Sequence, residues 1–118
     1  PQAVGLAPEP LRRNQARQLA LEQPALAQSL RIGRPDLPRE YDDGGLVDLN
    51  SVPAAWLATL PGVTRQQADA IVLSRTQYGR FRLVDELWSR GLLPPGMAPQ
   101  LADRVVVIGV QDSADGRG

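Results

Sequence analysis

Apolar residues recur at helical spacing on both sides of one short stretch, Leu60-Pro61-Gly62-Val63-Thr64-Arg65. Before it, Val52, Trp56, Leu57 and Leu60 share a face; after it, Ala68, Ile71 and Val72 do the same, which predicts two helices joined by a very tight turn. Gly62 makes such a turn cheap. Having no Cβ, it takes positive φ without steric cost and lets another backbone or a phosphate oxygen approach closely. Thr64 is placed to start the second helix, predicted over residues 65–76, because its hydroxyl suits the amide of Gln67 while the Gln67 side chain reaches back. Outward-facing amides beside Arg65 then make a small anion site.

The pattern continues in both directions. Downstream, Arg75 is expected to bond carbonyls of the loop Tyr78-Gly79-Arg80-Phe81, Phe81 to plug the core, and Val84, Leu87 and Trp88 to form the apolar face of a third helix. A displacement of 30 residues pairs Leu57 with Leu87, Ala68 with Ala98 and Ile71 with Leu101, so a second hairpin with a fourth helix over residues 98–104 is predicted. That displacement also sets Leu92 against Gly62 and Pro94 against Thr64. Both hairpin glycines are therefore missing, and Pro94 and Pro95 bring no N–H, so the second hairpin reads as packing. Val105 to Val110 is β-prone and is expected to pair with Leu46 to Leu49. The expected core is Val52, Leu57, Leu60, Ala68, Ile71, Val72, Phe81, Val84, Leu87, Trp88 and Leu101, with Trp56 at the edge.

Upstream, residues 10–23 favour a helix, Pro24 interrupts it, and residues 25–30 add a further turn or two before Gly33. This arm carries Arg12, Arg13, Arg17, Arg31, Arg34 and Arg39 and an excess of three positive charges over residues 1–39, which suits a basic binding arm or a juxtamembrane segment, although the more ordinary reading is a solvated helix docked by its leucines. A Pro-punctuated connector ends in Glu40, Asp42 and Asp43, carboxylates expected to lie in solvent. Asn50 or Ser51 is expected to cap the first hairpin helix, with Pro53 in its first turn.

The stretch "LPGVTRQQADAIV" resembles a helix-hairpin-helix motif, fitting its pattern at Leu60, Pro61, Gly62, Val63 and Ala68, with Thr64 where a second Gly is usual. With "VDLNSVPAAWLATLPG" and "YGRFRLVDELWSRGLL" the similarity extends to the C-terminal domain of ComEA-type competence DNA receptors. That resemblance implies a mainly all-α, double helix-hairpin-helix (SAM-like) unit of four helices with a short two-stranded contact, over residues 46–110. Residues 1–45 form the helical arm and connector, and residues 111–118 a disordered tail. It further implies a weak, sequence-independent contact with double- or single-stranded DNA, in which Gly62, Val63, Thr64, Arg65 and Gln66 hold a backbone phosphate and Arg80, Arg82 and Arg90 support it. The alternative is a degenerate hairpin unit serving as a protein-interaction or architectural domain, as in an extrinsic photosystem II subunit of similar fold, within a membrane-anchored protein.

Composition narrows the chemistry. Thirteen acidic groups balance thirteen basic ones, all of them Arg, which argues against strong nonspecific nucleic-acid binding. Without Lys, His or Cys there is no Schiff-base, imidazole or thiolate chemistry, and no carboxylate set has metal-site spacing. A non-enzymatic module is expected, with no cofactor, no metal and no small-molecule substrate. The longest apolar run, Val105 to Ile108, is far too short to cross a bilayer, so the chain as given is expected to be soluble, its compartment unassigned. Its start at Pro1 suits either a processed terminus or a fragment of an anchored protein.

Overall fold

The computed structural model describes residues 8–108. In chain order the elements are α1 (Glu9–Glu22), α2 (Pro24–Ser29), β1 (Val47–Asp48), α3 (Ala54–Leu57), α4 (Arg65–Tyr78), α5 (Glu86–Ser89), a 3-10 turn (Pro95–Met97), α6 (Ala98–Leu101) and β2 (Val105–Val106). The protein is mainly α, as the sequence predicts. Of the four hairpin helices only α4 is long; α3, α5 and α6 are four residues each.

β1 and β2 pair in parallel, with Val47 opposite Val105 and Asp48 opposite Val106. The expected contact between residues 46–49 and 105–110 is thus present but short, and Gly109, Val110 and the tail at 111–118 lie outside the described residues. Alternation along these strands separates two cores. Val47, Leu49 and Val105 join the hairpin core with Val52, Leu57, Leu60, Val63, Ala68, Ile71, Phe81, Leu87, Leu93 and Leu101. Leu46, Val106 and Ile108 instead pack with Ala16, Ala27 and Ile32 of the arm. Of the predicted core, Val72, Val84 and Trp88 are only half-buried against it, and Trp56 is exposed.

The arm docks by a route its pattern conceals. Leu11 and Leu21 are exposed, whereas Arg13 and Ala16 are buried. The Arg13 guanidinium donates to Asp103 (Nη2 2.5 Å, Nε 3.1 Å) and to the carbonyl of Gly44 (2.9 Å). Gly44 lies so close that a Cβ there would stand 2.7 Å from Arg13 Cγ. Of the leucines of α1 only Leu19 packs, half-buried, against the second core beside the buried Ala16, and an ion pair and a close backbone approach complete the docking. Arg17 adds a bond to the Asp103 carbonyl (2.8 Å).

Asp43 also departs from expectation. It is fully buried, accepting from the amides of Gly33 (2.7 Å), Gly45 (3.0 Å) and Leu46 (3.3 Å) and from Arg39 Nη1 (2.6 Å). A buried carboxylate with four donors organises the connector, where solvation was the simpler reading. Asn50 and Ser51 do not cap α3, whose N-cap is Pro53 with no side-chain bond. Asn50 is instead a brace, accepting from the amide of Phe81 (2.7 Å) and donating to the carbonyls of Phe81 (2.9 Å) and Ile108 (3.4 Å). Ser51 donates to Asp48 (2.7 Å), whose carboxyl is pushed up by burial against the opposing pull of the Asn50 amide and the Ser51 hydroxyl.

Candidate functional site

The first hairpin turns where the glycine permits it. Gly62 has φ +79°, and the amide of Val63 closes the turn on the carbonyl of Leu60 (3.1 Å). The buried Val63 side chain pins the turn to the hairpin core. Thr64 then caps α4 with both halves of a capping box: Gln67 N–H donates to Thr64 Oγ1 (3.1 Å), and Thr64 N–H donates to Gln67 Oε1 (3.0 Å). Thr64 therefore contributes the cap and withholds its amide from any ligand. Among the described residues, the amides of Gly62, Arg65 and Gln66 have no protein acceptor. They stand together at the start of a 14-residue helix, whose dipole favours an anion there.

Arg65 is exposed beside these amides. Its Nε contacts Asp69 Oδ1 at 3.1 Å across one helical turn, an open pair that is worth little in water.

The expected supporting arginines lie elsewhere. Arg65 opens α4 and Tyr78 closes it, so by helical rise the two ends are about 20 Å apart. Arg80 and Arg82 follow the far end and are exposed, and Arg82 makes no side-chain bond among the described residues. Both thus follow the end of α4 opposite Arg65. Arg90 is occupied: it donates from Nη1 to Ser74 Oγ (3.1 Å) and the Gly79 carbonyl (3.0 Å), and from Nη2 to the Arg80 carbonyl (3.1 Å) and Glu86 Oε1 (2.7 Å). Its guanidinium also stacks 4.2 Å from the Phe81 ring centroid. This is the loop-bonding role that the sequence suggested for Arg75. Arg75 instead donates to the Leu49 carbonyl (2.9 Å), because it lies a turn earlier on the face turned toward β1.

Glu86 completes that bracket. Burial alone would raise its carboxyl, but the amides of Arg82 (2.8 Å) and Leu83 (3.0 Å) and the Arg90 guanidinium outweigh burial and hold it below its ordinary value of 4.5. A pKa depressed by folding gives stability that is present above the unfolded value and lost as pH falls through the folded one. Glu86→Gln is therefore expected to be less stable than wild type at neutral pH, the difference narrowing as pH falls below 4.5 and through the depressed folded value. Urea melts at pH 7 and pH 3 check this; an equal gap at both would contradict it.

The second hairpin has a different inventory. Its positive-φ residue is Gly91 (φ +73°), one place earlier than the 30-residue repeat predicts, so a turn glycine is present after all. The amides of Leu92 and Leu93 both go to the Leu87 carbonyl (2.9 and 3.0 Å), Pro94 and Pro95 have none, and Met97 donates to the Pro94 carbonyl (3.0 Å). Only the Gly96 amide remains. Met97 and Gln100 lie against the first turn: a Cβ on Gly62 would stand 3.1 Å from Met97 Cε and 3.6 Å from Gln100 Nε2.

On the outer side of α4, an open groove of about 540 Å3 is lined by Ala70, Leu73, Ser74, Gln77, Tyr78, Arg90 and Leu92. Leu73 and Tyr78 are 55% and 76% exposed there. Among the described residues no group of three or more acidic, His or Cys side chains is placed to hold a metal, and no helix is long and apolar enough to cross a membrane.

The family model for the helix-hairpin-helix motif matches residues 42–106, from the end of the connector to β2. No curated protein and no solved structure matches the chain. With more than half its length matched and both hairpins formed in the order the motif requires, the chain belongs to the helix-hairpin-helix family.

Proposed function

We propose that this is a non-enzymatic DNA-binding module of the ComEA-like, SAM-like kind, gripping backbone phosphate through its first hairpin without reading sequence. The observation that carries this reading is the trio of unpartnered amides at Gly62, Arg65 and Gln66, held by a complete capping box at the start of α4. A phosphate oxygen seated there accepts from the backbone and meets the Arg65 guanidinium, with Val63 and Thr64 fixing the turn. Such contacts orient a protein on DNA and leave the bases unread. Arg80 and Arg82, near the other end of α4, suit a second phosphate about 20 Å away. Arg90 supports them only by bracing their loop.

With two or three phosphates neutralised, the logarithm of affinity is expected to fall against the logarithm of salt with a slope of about −2 to −3. Arg65→Ala is expected to weaken duplex binding alike for all sequences and to bring that slope closer to zero by about one unit. Titration with two unrelated duplexes at two salt concentrations checks both points. An unchanged slope would remove Arg65 from the interface.

A second reading has its own support. The groove beside Leu73 and Tyr78 exposes apolar side chains on the one long hairpin helix, as a protein-interaction domain would. Charge balance over the whole chain also suits it. Absence of duplex binding even at low salt would favour this reading over the first.

A further inference from the structure

We infer that Gln100 is a binding residue of the same phosphate site, supplied by the second hairpin in place of the amides that hairpin lacks. This rests on the hairpin reading above. Pro94 and Pro95 deprive the second turn of donors, and Leu92 and Leu93 spend theirs on Leu87. Among the described residues of the second turn only the Gly96 amide is left, against three at the first, so a symmetric grip by two sets of amides is not available. Yet α6 is anchored by the fully buried Leu101, and the residue before it, Gln100, is exposed with its Nε2 3.6 Å from the place where Gly62 would carry a Cβ. Among the described residues its carboxamide has no hydrogen-bond partner, so the donor at the rim of the turn is uncommitted. The repeat gives no counterpart, because the residue 30 places earlier is Ala70. The second hairpin thus acts by one neutral side chain across the turn of the first.

Neutrality separates this role from that of Arg65. A carboxamide donor adds affinity but displaces no counterion, so Gln100→Ala is expected to weaken binding of a short duplex about two- to tenfold while leaving the salt slope unchanged. Gln100→Glu keeps the shape and sets a carboxylate beside the phosphate, and a larger loss is expected. Gln100→Arg is expected to tighten binding and steepen the slope by about one unit. All three sit at an exposed position, so a thermal melt within about 2 °C of wild type confirms that folding is intact. If wild type binds and Arg65→Ala weakens it while Gln100→Ala and Gln100→Glu match wild type, Gln100 has no part in the site and this inference alone is overturned. If wild type fails to bind duplex at low salt, the hairpin reading falls first and takes this one with it.

Discussion

Ile71→Ala is expected to lower the free energy of unfolding by about 2 to 5 kcal/mol. Ile71 is fully buried at the middle of α4, the only long helix of the hairpin unit, within the cluster that includes Leu57, Phe81 and Leu87. Truncation removes apolar contact and leaves a cavity, because short neighbours such as α3 and α5 are tied to loops by their own hydrogen bonds and collapse poorly into the space. A domain of this size has about 5 to 15 kcal/mol in total, so the loss is a large fraction of it. Leu73, two places along on the opposite face, is 55% exposed. Its replacement by Ala is expected to change stability by no more than about 0.5 kcal/mol. Chemical denaturation of the two variants tests the register of α4, and a cost under about 0.5 kcal/mol at Ile71 would contradict it.

Gly62→Val is expected to abolish detectable duplex binding, and the matched change Gly91→Val to leave it intact. Both glycines sit at nearly the same positive φ, +79° and +73°, where a β-branched residue is strained by about 1 to 3 kcal/mol. Their surroundings differ. A Cβ at Gly91 meets nothing within 4 Å, whereas at Gly62 it meets Met97 and Gln100, and on the proposed reading a β-branched side chain there crowds the phosphate. Both variants should lose stability from the strained φ, Gly62→Val somewhat more because Met97 must give way, while binding separates them. Nonspecific affinity is weak from the outset, with dissociation constants of about 10⁻⁶ to 10⁻⁴ M, so loss of the turn leaves little to measure. Equal damage to binding from both substitutions would point to a two-sided interface.

The hairpin at Leu60 to Arg65 was legible because local rules decide it. A glycine that must turn, a threonine that can cap and a glutamine three places later act within a few residues of one another, and each performs its expected part. The core periodicity was legible for the same reason at Leu57, Ile71, Leu87 and Leu101. What the sequence hid is long-range and polar. Arg13 and Asp103 are 90 residues apart, Asn50 and Phe81 are 31, and nothing in either neighbourhood marks those partners. Arg90, not Arg75, bonds the loop carbonyls, while Arg75 reaches Leu49, because the partner of each guanidinium is fixed by packing between elements far apart in sequence. The second turn misled by a single residue: core positions keep the 30-residue displacement, while the glycine moved to position 91. Gln100 carried no signal at all. Its significance comes from lying across a gap that only the fold closes.

Residue-level titration of the backbone amides with a short duplex tests the central claim most directly. The account predicts that the amide signals of Gly62, Arg65 and Gln66 move together as DNA is added, reversed by salt, while those of Leu92, Leu93 and Gly96 stay still. Equal movement across both turns, or movement confined to Leu73 and Tyr78 along the groove, would contradict it.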